Sequence, residues 1–468
     1  MKSVLLIEPA KVYYEDWPAP LGLTVIRDFL KSKKFIAEYI DLSSRIEHKQ
    51  KKKDLVKYLF RKIREDVEKH DLIGISITYR ELFSLVLELC EYIKNEFPNK
   101  KILLGGRHIA TLFMNDSLKK EYFENIDYMN IFDGENTILE LAKQTKIVNI
   151  PNLIYLNKNK IKVNKIRNDL PLSEIPVLNQ QNSNYIEYEI GRGCYYKNCN
   201  HCSFIYDKKI FGYREKPVEK VVKDLKLFQQ NFPNKRVIFM TDSMSIKQAK
   251  EISKEIIKNK IKVKWVVMMR FEKRLDFSLL SLMKKAGCQE LWFGLESGDE
   301  YINKNIVNKG IELDDAKRIL RDTYKVKIKV SVFSITGLPS ETFFNAIKTF
   351  AFYYKNKKFI YQGEMLYFGL NRYSSFFKNP KKFGITKLIK KNDWYIFKTS
   401  KGYLYRKLFA KIFIYFCYIY FNLFSNITFF LNPLLNTFSR FIKVNIVDNF
   451  LNLFKTYRNK KNKLNQPF

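Results

Sequence analysis

Two kinds of hydrophobic spacing alternate along residues 1–145. Short apolar runs, typical of strands buried on both faces of a parallel sheet, are separated by segments with helical periodicity. The predicted strands are Ser3–Pro9, Phe35–Leu42, Leu72–Thr78, Lys101–Gly106 and Tyr128–Asp133. The segments between them include Leu21–Lys33, Asp54–Glu65 and Phe83–Phe97. This order predicts a doubly wound parallel α/β sheet as a domain of residues 1–145.

Polar residues and glycines follow several of these predicted strands. Ligands bind beyond the carboxyl ends of the strands in a doubly wound sheet, where loops and helix N-termini meet. The residues at those ends are Glu8-Pro9, Ser76-Ile77-Thr78, Gly105-Gly106 and Asp133-Gly134-Glu135. We therefore predict a ligand site there, although ordinary tight turns would also explain the glycines.

The βα pattern pauses and then restarts. Residues 146–180 are polar and interrupted by Pro151, Pro171 and Pro176, which predicts a small hairpin and a linker. Residues 181–375 then carry six more strand candidates, whose spacing favours a partial (β/α)6 barrel over a second open sheet. These are Ile186–Gly193, Arg236–Asp242, Lys262–Arg270, Glu290–Ser297, Ile328–Leu338 and Glu364–Leu370.

Residues 376–468 have a different composition and predict a separate helical, aromatic-rich region. Within residues 381–468, 22 of 88 side chains are aromatic, and Ile412–Ser439 runs 28 residues without a charge. Three interpretations remain open. The region forms a lid or core helix, lies at a membrane surface, or spans a membrane through Ile412–Leu431.

The net charge of +36 indicates an anionic partner without identifying it. Residues 381–468 carry 17 lysines and arginines against two aspartates, and such cationic, aromatic segments are attracted to anionic lipid. Nucleic acid is not favoured, because no RNA-binding module is recognisable. The N-terminus has no secretory signal pattern, so we expect a cytoplasmic protein that lies peripherally at the inner face of the membrane.

Three of the six cysteines are clustered in GRGCYYKNCNHCSF, residues 191–204. Cys194, Cys199 and Cys202 are soft ligands suited to an iron–sulfur cluster, and three thiolates leave one iron of a four-iron cluster open. A structural zinc site completed by His201 is the alternative, but no second C-x2-C pair is present. The other cysteines, Cys90, Cys288 and Cys417, are interpreted as buried, inert thiols.

This motif, following a strand in a βα series, resembles the radical S-adenosylmethionine (SAM) superfamily. The resemblance implies a [4Fe–4S] cluster whose fourth iron is chelated by SAM. The spacing here is C-x4-C-x2-C, whereas C-x3-C-x2-C is usual in the family. Later segments resemble the family's SAM pocket in the same order, and they implicate Thr241, Asp242, Ser243, Arg270, Glu296, Ser297 and Gly337.

The N-terminal domain resembles the cobalamin-binding domain of B12-dependent radical SAM enzymes. The matching segments are PAPLGL (18–23), LIGISIT (72–78), ILLGGRH (102–108) and FDGENT (132–137). The resemblance implies cobalamin beside Ser76, Gly105, Gly106, Gly134 and Glu135. A D-x-H-x-x-G cobalt-ligand signature is absent, and His108 is not assigned as a ligand.

Together these resemblances imply reductive SAM cleavage to a 5′-deoxyadenosyl radical and cobalamin-dependent C-methylation of an unactivated carbon. They also imply a low-potential electron donor such as flavodoxin or ferredoxin. The substrate, whether a small molecule, lipid or peptide, is not specified by the sequence. Two alternatives remain. One is radical modification without methyl transfer, by rearrangement, oxidation, or peptide or RNA modification. The other is a non-enzymatic membrane-surface or nucleic-acid-binding protein with a structural cluster.

Overall fold

A computed structural model describes most of the chain. It covers residues 3–9, 21–42, 55–78, 80–167, 170–176, 185–196, 198–202, 212–370, 374–391, 394–400 and 403–430. The first half of the PAPLGL segment and the end of the uncharged run, residues 431–439, lie outside this described part. So does the basic C-terminal stretch that follows.

The first sheet has seven strands in the order β2-β1-β3-β4-β5-β6-β7. The first five are parallel: β1 (Ser3–Glu8), β2 (Ile36–Asp41), β3 (Leu72–Ser76), β4 (Lys101–Gly105) and β5 (Tyr128–Asn130). The predicted hairpin forms β6 (Leu153–Asn157) and β7 (Lys160–Val163), which extend this sheet with antiparallel pairing. The sheet therefore continues beyond residue 145.

Helices cover both faces of the first sheet. They are α1 (Leu21–Ser32), α2 (Leu55–Lys69), α3 (Phe83–Glu96), α4 (Arg107–Met114) and α5 (Glu135–Ala142). Strand β1 is buried along its whole length because its side chains alternate between two cores. Leu5 and Ile7 pack into the core formed with α2 and α3, whereas Val4 and Leu6 pack into the core formed with α1 and α5.

The second sheet is parallel throughout, in the order β18-β15-β14-β13-β12-β11-β8. Six of its strands follow the predicted barrel pattern: β8 (Tyr185–Glu189), β11 (Arg236–Met240), β12 (Lys264–Met269), β13 (Cys288–Glu296), β14 (Lys329–Thr336) and β15 (Gln362–Tyr367). The helices between them are α6 (Val218–Asn231), α7 (Ile246–Lys258), α8 (Phe277–Lys285), α9 (Leu313–Lys325) and α10 (Phe343–Lys355). Because neighbouring strands are also consecutive βα units, their carboxyl-end loops gather at one edge.

The C-terminal region contains strands that its aromatic composition did not predict. A short helix, α11 (Ser375–Lys378), is followed by an antiparallel hairpin of β16 (Ile385–Lys391) and β17 (Trp394–Thr399). The long helix α12 (Tyr403–Phe424) ends well before Ser439, and β18 (Thr428–Phe430) then pairs with β15. Pairing with the open edge of β15 satisfies backbone groups that a continuing helix would leave exposed.

Helix α12 packs along one face into the core of the second sheet. Phe413, Ile414, Cys417 and Phe421 are all buried in the same core as the outward-facing residues of the barrel strands. No helix in the described part of the chain is both long and apolar enough to span a bilayer. The packing supports a core role for this face, one of the three interpretations of the region.

Candidate functional site

The cysteine segment begins where β8 ends. A two-residue strand, β9 (Gly191–Arg192), pairs with β10 (Arg214–Glu215) immediately before the first cysteine. Gly193 has φ +77°, and a Cβ there would lie 2.9 Å from the Gly212 carbonyl oxygen, so only glycine fits this turn. Cys194 then forms an isolated parallel bridge with Ser243, which joins the cysteine loop to the end of β11.

The distal part of the cysteine loop is held by the segment after β13. A π-helical turn spans Ile302–Val307, and it accepts two hydrogen bonds from Asn200. The Asn200 backbone N–H donates to the Val307 carbonyl at 2.8 Å, and its side-chain Nδ2 donates to the Ile306 carbonyl at 2.9 Å. In the opposite direction, Asn308 Nδ2 donates a hydrogen bond to the Asn198 carbonyl at 3.0 Å. The loop is thus fixed to the barrel on both sides.

The three thiols fit an iron–sulfur cluster in number and in chemistry. Cys199 is buried, while Cys194 and Cys202 are half-buried, and none forms a disulfide. Burial raises the pKa of Cys199 to about 12, so its thiolate needs a compensating cation such as iron. Among the described residues no three His, Cys, Asp or Glu side chains are gathered as a set of metal ligands. We expect a bound cluster to draw the three sulfur atoms together.

Arg270, the residue after β12, presents unpaired nitrogen atoms beside this loop. Its side chain is buried, and its guanidinium lies 3.3 Å from the ring centroid of Tyr196. Nη2 donates to the Lys309 carbonyl at 2.5 Å, but the buried Nε and Nη1 have no hydrogen-bond partner. Buried donors are rarely left unpaired. An acceptor such as the SAM carboxylate, which the resemblance implies here, would satisfy one of these donors.

Glu296 ends β13 as a buried carboxylate with φ +64°. Its Oε1 forms a salt bridge with Lys309 Nζ. Burial alone would raise the pKa of Glu296, but Lys309, followed by His201 and Arg270, offsets that effect and lowers it. The carboxylate is therefore charged within a basic surrounding. Burial lowers the pKa of His201 and so favours its neutral form.

The other residues predicted to contact SAM differ in whether their side chains already bond within the fold. Thr241 has a buried hydroxyl with no hydrogen-bond partner, and Asp242 and Ser243 follow it at the end of β11. Ser297, in contrast, is occupied within the fold, since its hydroxyl lies 3.2 Å from Thr349 Oγ1 on α10. Gly337 is required by packing. At φ +82°, a Cβ there would lie 2.7 Å from Cε2 of Tyr367.

The predicted residues of the N-terminal domain line one cavity at the carboxyl edge of the first sheet. The cavity has a volume of about 250 Å³. Ser76, Gly105, Gly106, Gly134 and Glu135 all contribute to its wall. Glycines form much of this wall, which leaves a concave surface open to a ligand. The volume accommodates part of a corrinoid.

His108 is not part of that cavity. It is buried in α4, and its ring lies edge-on to Phe83 with centroids 4.9 Å apart. Its position agrees with leaving it unassigned as a ligand.

The cavity is shared with the second sheet. Glu189 and Arg192, from β8 and β9, contribute to its wall together with Asp133 and Glu135 of the first domain. Arg192 Nη1 lies 3.0 Å from Asp133 Oδ2, and Arg214 Nη2 lies 2.7 Å from the same oxygen atom. The two carboxyl edges therefore face each other across an ion-pair network.

This arrangement of two facing α/β units, with a three-thiol loop on the second, is typical of a cofactor-dependent enzyme. Residues 188–352 match the Radical SAM superfamily. Residues 188–352 therefore form a radical SAM domain, as the cysteine motif predicted. The superfamily implies a [4Fe–4S] cluster and SAM as cofactors.

Relatives and solved structures extend the comparison beyond this domain. An uncharacterized methyltransferase of Pyrococcus horikoshii, PH0819, is 25% identical over 296 residues, covering 58% of this chain. The chain thus matches 61% of the length of that relative. The cobalamin-bound methyltransferase TsrM of Kitasatospora setae superposes with a TM-score of 0.65 at 18% identity, over 80% of this chain and 77% of TsrM.

A second solved structure, OxsB, has the same arrangement of elements. This cobalamin-dependent radical SAM enzyme superposes with a TM-score of 0.62 at 17% identity, over 82% of this chain and 56% of OxsB. At this level of identity both structures establish a shared fold, and with it the α/β architecture predicted from the strand pattern.

Sequence reasoning missed several residues that shape the site. The sequence did not reveal Lys309 as the partner of Glu296. Arg192 lies in the GRG segment before the cysteines, but its contact with the first domain was not predicted. Tyr196, whose ring covers Arg270 and whose hydroxyl donates to the Asn308 carbonyl at 3.1 Å, had no signal beyond its place between the cysteines.

We expect Cys199→Ala to abolish cluster binding, because the remaining two thiols cannot hold three irons. Anaerobic reconstitution followed by iron and sulfide analysis and EPR measures this loss. Cys90→Ala is the matched control, since Cys90 is buried in the first domain and should leave cluster content unchanged. A full, SAM-cleaving cluster in Cys199→Ala would contradict the assignment of this ligand.

We expect Arg270→Gln to weaken SAM binding by about 10- to 100-fold, the effect of losing charge-assisted hydrogen bonds worth about 1.5–3 kcal/mol. Calorimetry with cluster-loaded, unreduced protein measures the Kd. Arg270→Lys should recover part of the affinity, because the charge returns without the fork geometry. The exposed Arg274→Gln is the control, and equal affinities in all variants would exclude the proposed contact.

Proposed function

We propose that this protein is a cobalamin-dependent radical SAM methyltransferase that methylates an unactivated carbon of its substrate. The observation that carries this proposal is the shared cavity. Glu189 and Arg192 of the radical SAM unit form one wall, and the glycine-lined carboxyl edge of the first sheet forms the opposite wall. A corrinoid in that position would lie next to the cysteine loop, which begins two residues after Arg192.

The comparisons support the proposal from two sides. TsrM and OxsB, whose fold this chain shares, are described as cobalamin-bound and cobalamin-dependent radical SAM enzymes. The sequence relative from Pyrococcus horikoshii is described as a methyltransferase. Radical modification without methyl transfer remains the alternative, because the substrate is unidentified.

When bound, the cluster would supply the electron that cleaves SAM, and cobalamin would supply methyl transfer. The chain's own residues would bind and orient SAM. Arg270 would hold the carboxylate of SAM through one of its unpaired nitrogen atoms, and Thr241 would offer its unpaired hydroxyl nearby. Glu296, kept charged by Lys309, would accept hydrogen bonds from ribose hydroxyls. The surrounding barrel strands would exclude water from the reactive centre.

A membrane location is the second part of the proposal, and an exposed apolar face favours it. Helices α10 and α12 pack side by side, with the rings of Phe350 and Phe416 5.3 Å apart. Large apolar side chains point away from the core along both helices. They are Phe343, Phe344, Ile347, Tyr354, Ile412, Tyr415, Phe416, Ile419 and Leu423, each more than a third exposed. Contiguous exposed patches of this kind mark interaction surfaces.

An anionic lipid surface is the occupant that the charge of the region favours. Residues 381–468, the region that contains α12, carry a net charge of +15. Aromatic rings prefer the interfacial region of a bilayer, and each nearby cation gains about 1 kcal/mol from anionic lipid. We therefore place α10 and α12 against the membrane surface, with the cofactor-facing edges of the two sheets formed by other parts of the chain.

To test the cofactor assignment, we expect Gly105→Trp to prevent cobalamin binding. The nearest atom to a Cβ at Gly105 is Asn130 Cβ at 4.0 Å, so an indole would be tolerated and would occupy much of the cavity. Cobalamin retained after gel filtration is measured by absorbance, and SAM cleavage should persist. Gly369→Trp, at a glycine with nothing within 4 Å and outside the cavity, is the control. Wild-type protein that retains no cobalamin would refute the methyl-transfer proposal.

To test the membrane assignment, we expect full-length protein to float with phosphatidylglycerol vesicles at low salt, and less at high salt because screening weakens the attraction. Phe344→Glu should reduce flotation several-fold. Val148→Glu replaces a similarly exposed apolar side chain in the first domain and should have no effect. Protein that stays unbound at low salt would show that another partner covers this face.

A further inference from the structure

Arg192 lines the cavity and also joins the two sheets. Its guanidinium contacts three carboxylates from two domains. Nη1 lies 3.0 Å from Asp133, Nη2 lies 2.5 Å from Glu135 and Nε lies 2.7 Å from Glu189. Asp133 lies in the loop after β5 and Glu135 begins α5, whereas Glu189 ends β8. All three nitrogen atoms of the guanidinium therefore contact carboxylates, and these contacts join the two sheets.

The network is enclosed, so its geometry is restrained. The Arg192 side chain is 17% exposed and that of Glu135 is 5% exposed. Separating a buried ion pair leaves each charge desolvated and without a partner, which is costly. We therefore expect Arg192 and its three carboxylates to move together. Movement of the Asp133–Glu135 loop is therefore transmitted to Arg192.

From Arg192 the connection to the cysteine loop is covalent and short. Its backbone is paired with Arg214 in the β9–β10 ribbon, and Gly193 follows in a turn that accepts no side chain. Cys194 comes next and is bridged to Ser243 at the end of β11. A rigid segment thus leads from the guanidinium to the first cluster cysteine.

The other side of the network is the cavity itself. Asp133, Gly134 and Glu135 line it, as do Glu189 and Arg192. A large ligand that enters the cavity must contact or displace these carboxylates. The same residues therefore contact any ligand in the cavity of the first domain and position the cysteine loop of the second.

We propose that Arg192 is a positioning residue that couples occupancy of the N-terminal cavity to the geometry of the cysteine loop and hence to SAM affinity. This inference rests on the proposed function, because it assumes that cobalamin is the ligand of the cavity. Thermodynamic linkage then requires reciprocity. Cobalamin must change the affinity for SAM by the same factor by which SAM changes the affinity for cobalamin.

The experiment measures binding without turnover. Cluster-loaded, unreduced protein is titrated with SAM in the absence and presence of saturating hydroxocobalamin, and the ratio of the two Kd values is the coupling factor. We expect at least about a fivefold factor in wild-type protein. Arg192→Gln should reduce that factor to about one in samples whose cluster content and cobalamin occupancy, both measured by absorbance, match those of wild-type protein. Arg192→Lys should recover part of it.

A second variant addresses the possibility that Arg192→Gln disturbs the cysteine loop directly. Glu135→Gln lies in the other domain and has no short backbone connection to Cys194. It should also reduce the coupling factor, and it should alter the EPR change that SAM induces in the reduced cluster. A contact that only docks the domains would lower the melting temperature and leave both readouts unchanged.

Arg318→Gln is the matched control, because it removes ion pairs with Asp315 and Asp322 on the outer helix α9. It should leave the coupling factor as in wild type. A wild-type factor of one, or an undiminished factor in Arg192→Gln and Glu135→Gln, would overturn the inference while the proposed methyltransferase stands. Failure of wild-type protein to bind cobalamin would instead remove the proposed function and this inference together.

Discussion

The parallel pairing of the second sheet is the constraint on which the candidate site depends. Parallel strands joined by helical crossovers must deliver all their carboxyl-end loops to one edge. Cys194 is bridged to Ser243 for this reason, although 49 positions separate them. Arg270 and Glu296 reach the same edge from β12 and β13, and the segment between β13 and α9 brings Lys309 to it. The site is therefore a consequence of strand direction and register, and the loops supply only its chemical groups.

Charge compensation explains how a chain with a net charge of +36 buries so many ionised groups near this edge. Each buried charge needs a partner, since desolvation of an isolated ion is costly. Lys309 forms a salt bridge with Glu296, and Asp133 forms salt bridges with both Arg192 and Arg214. Arg270 departs from this pattern, since carbonyl and aromatic contacts leave two of its nitrogen atoms without hydrogen bonds. Such an incompletely satisfied cation is what distinguishes a binding group from a structural one.

The sequence predicted those features that local patterns determine. The apolar run Val4–Ile7 of β1 and the regular βα spacing predicted parallel α/β units, because strands buried on both faces have nearly continuous apolar sequences. Contacts between distant positions left no such signature. The bond from Ser297 to Thr349 joins residues 52 positions apart, and only the crossing of α10 over β13 brings them together. The hairpin of β16 and β17 was missed because its lysines and aromatic residues resemble the helical region that follows.

The C-terminal region shows that composition alone misjudges how a segment belongs to the fold. Its aromatic residues suggested an appendage, yet α12 completes the core of the second sheet and β18 covers the edge of β15. Its influence also reaches the predicted SAM pocket. A Cβ at Gly337 would lie 3.4 Å from Ala410 of α12, as well as against Tyr367. One face of this helix therefore supports the end of β14, where Gly337 is a predicted SAM contact, while the opposite face carries the exposed aromatic surface. A single helix thus links that exposed surface to the carboxyl edge of the second sheet.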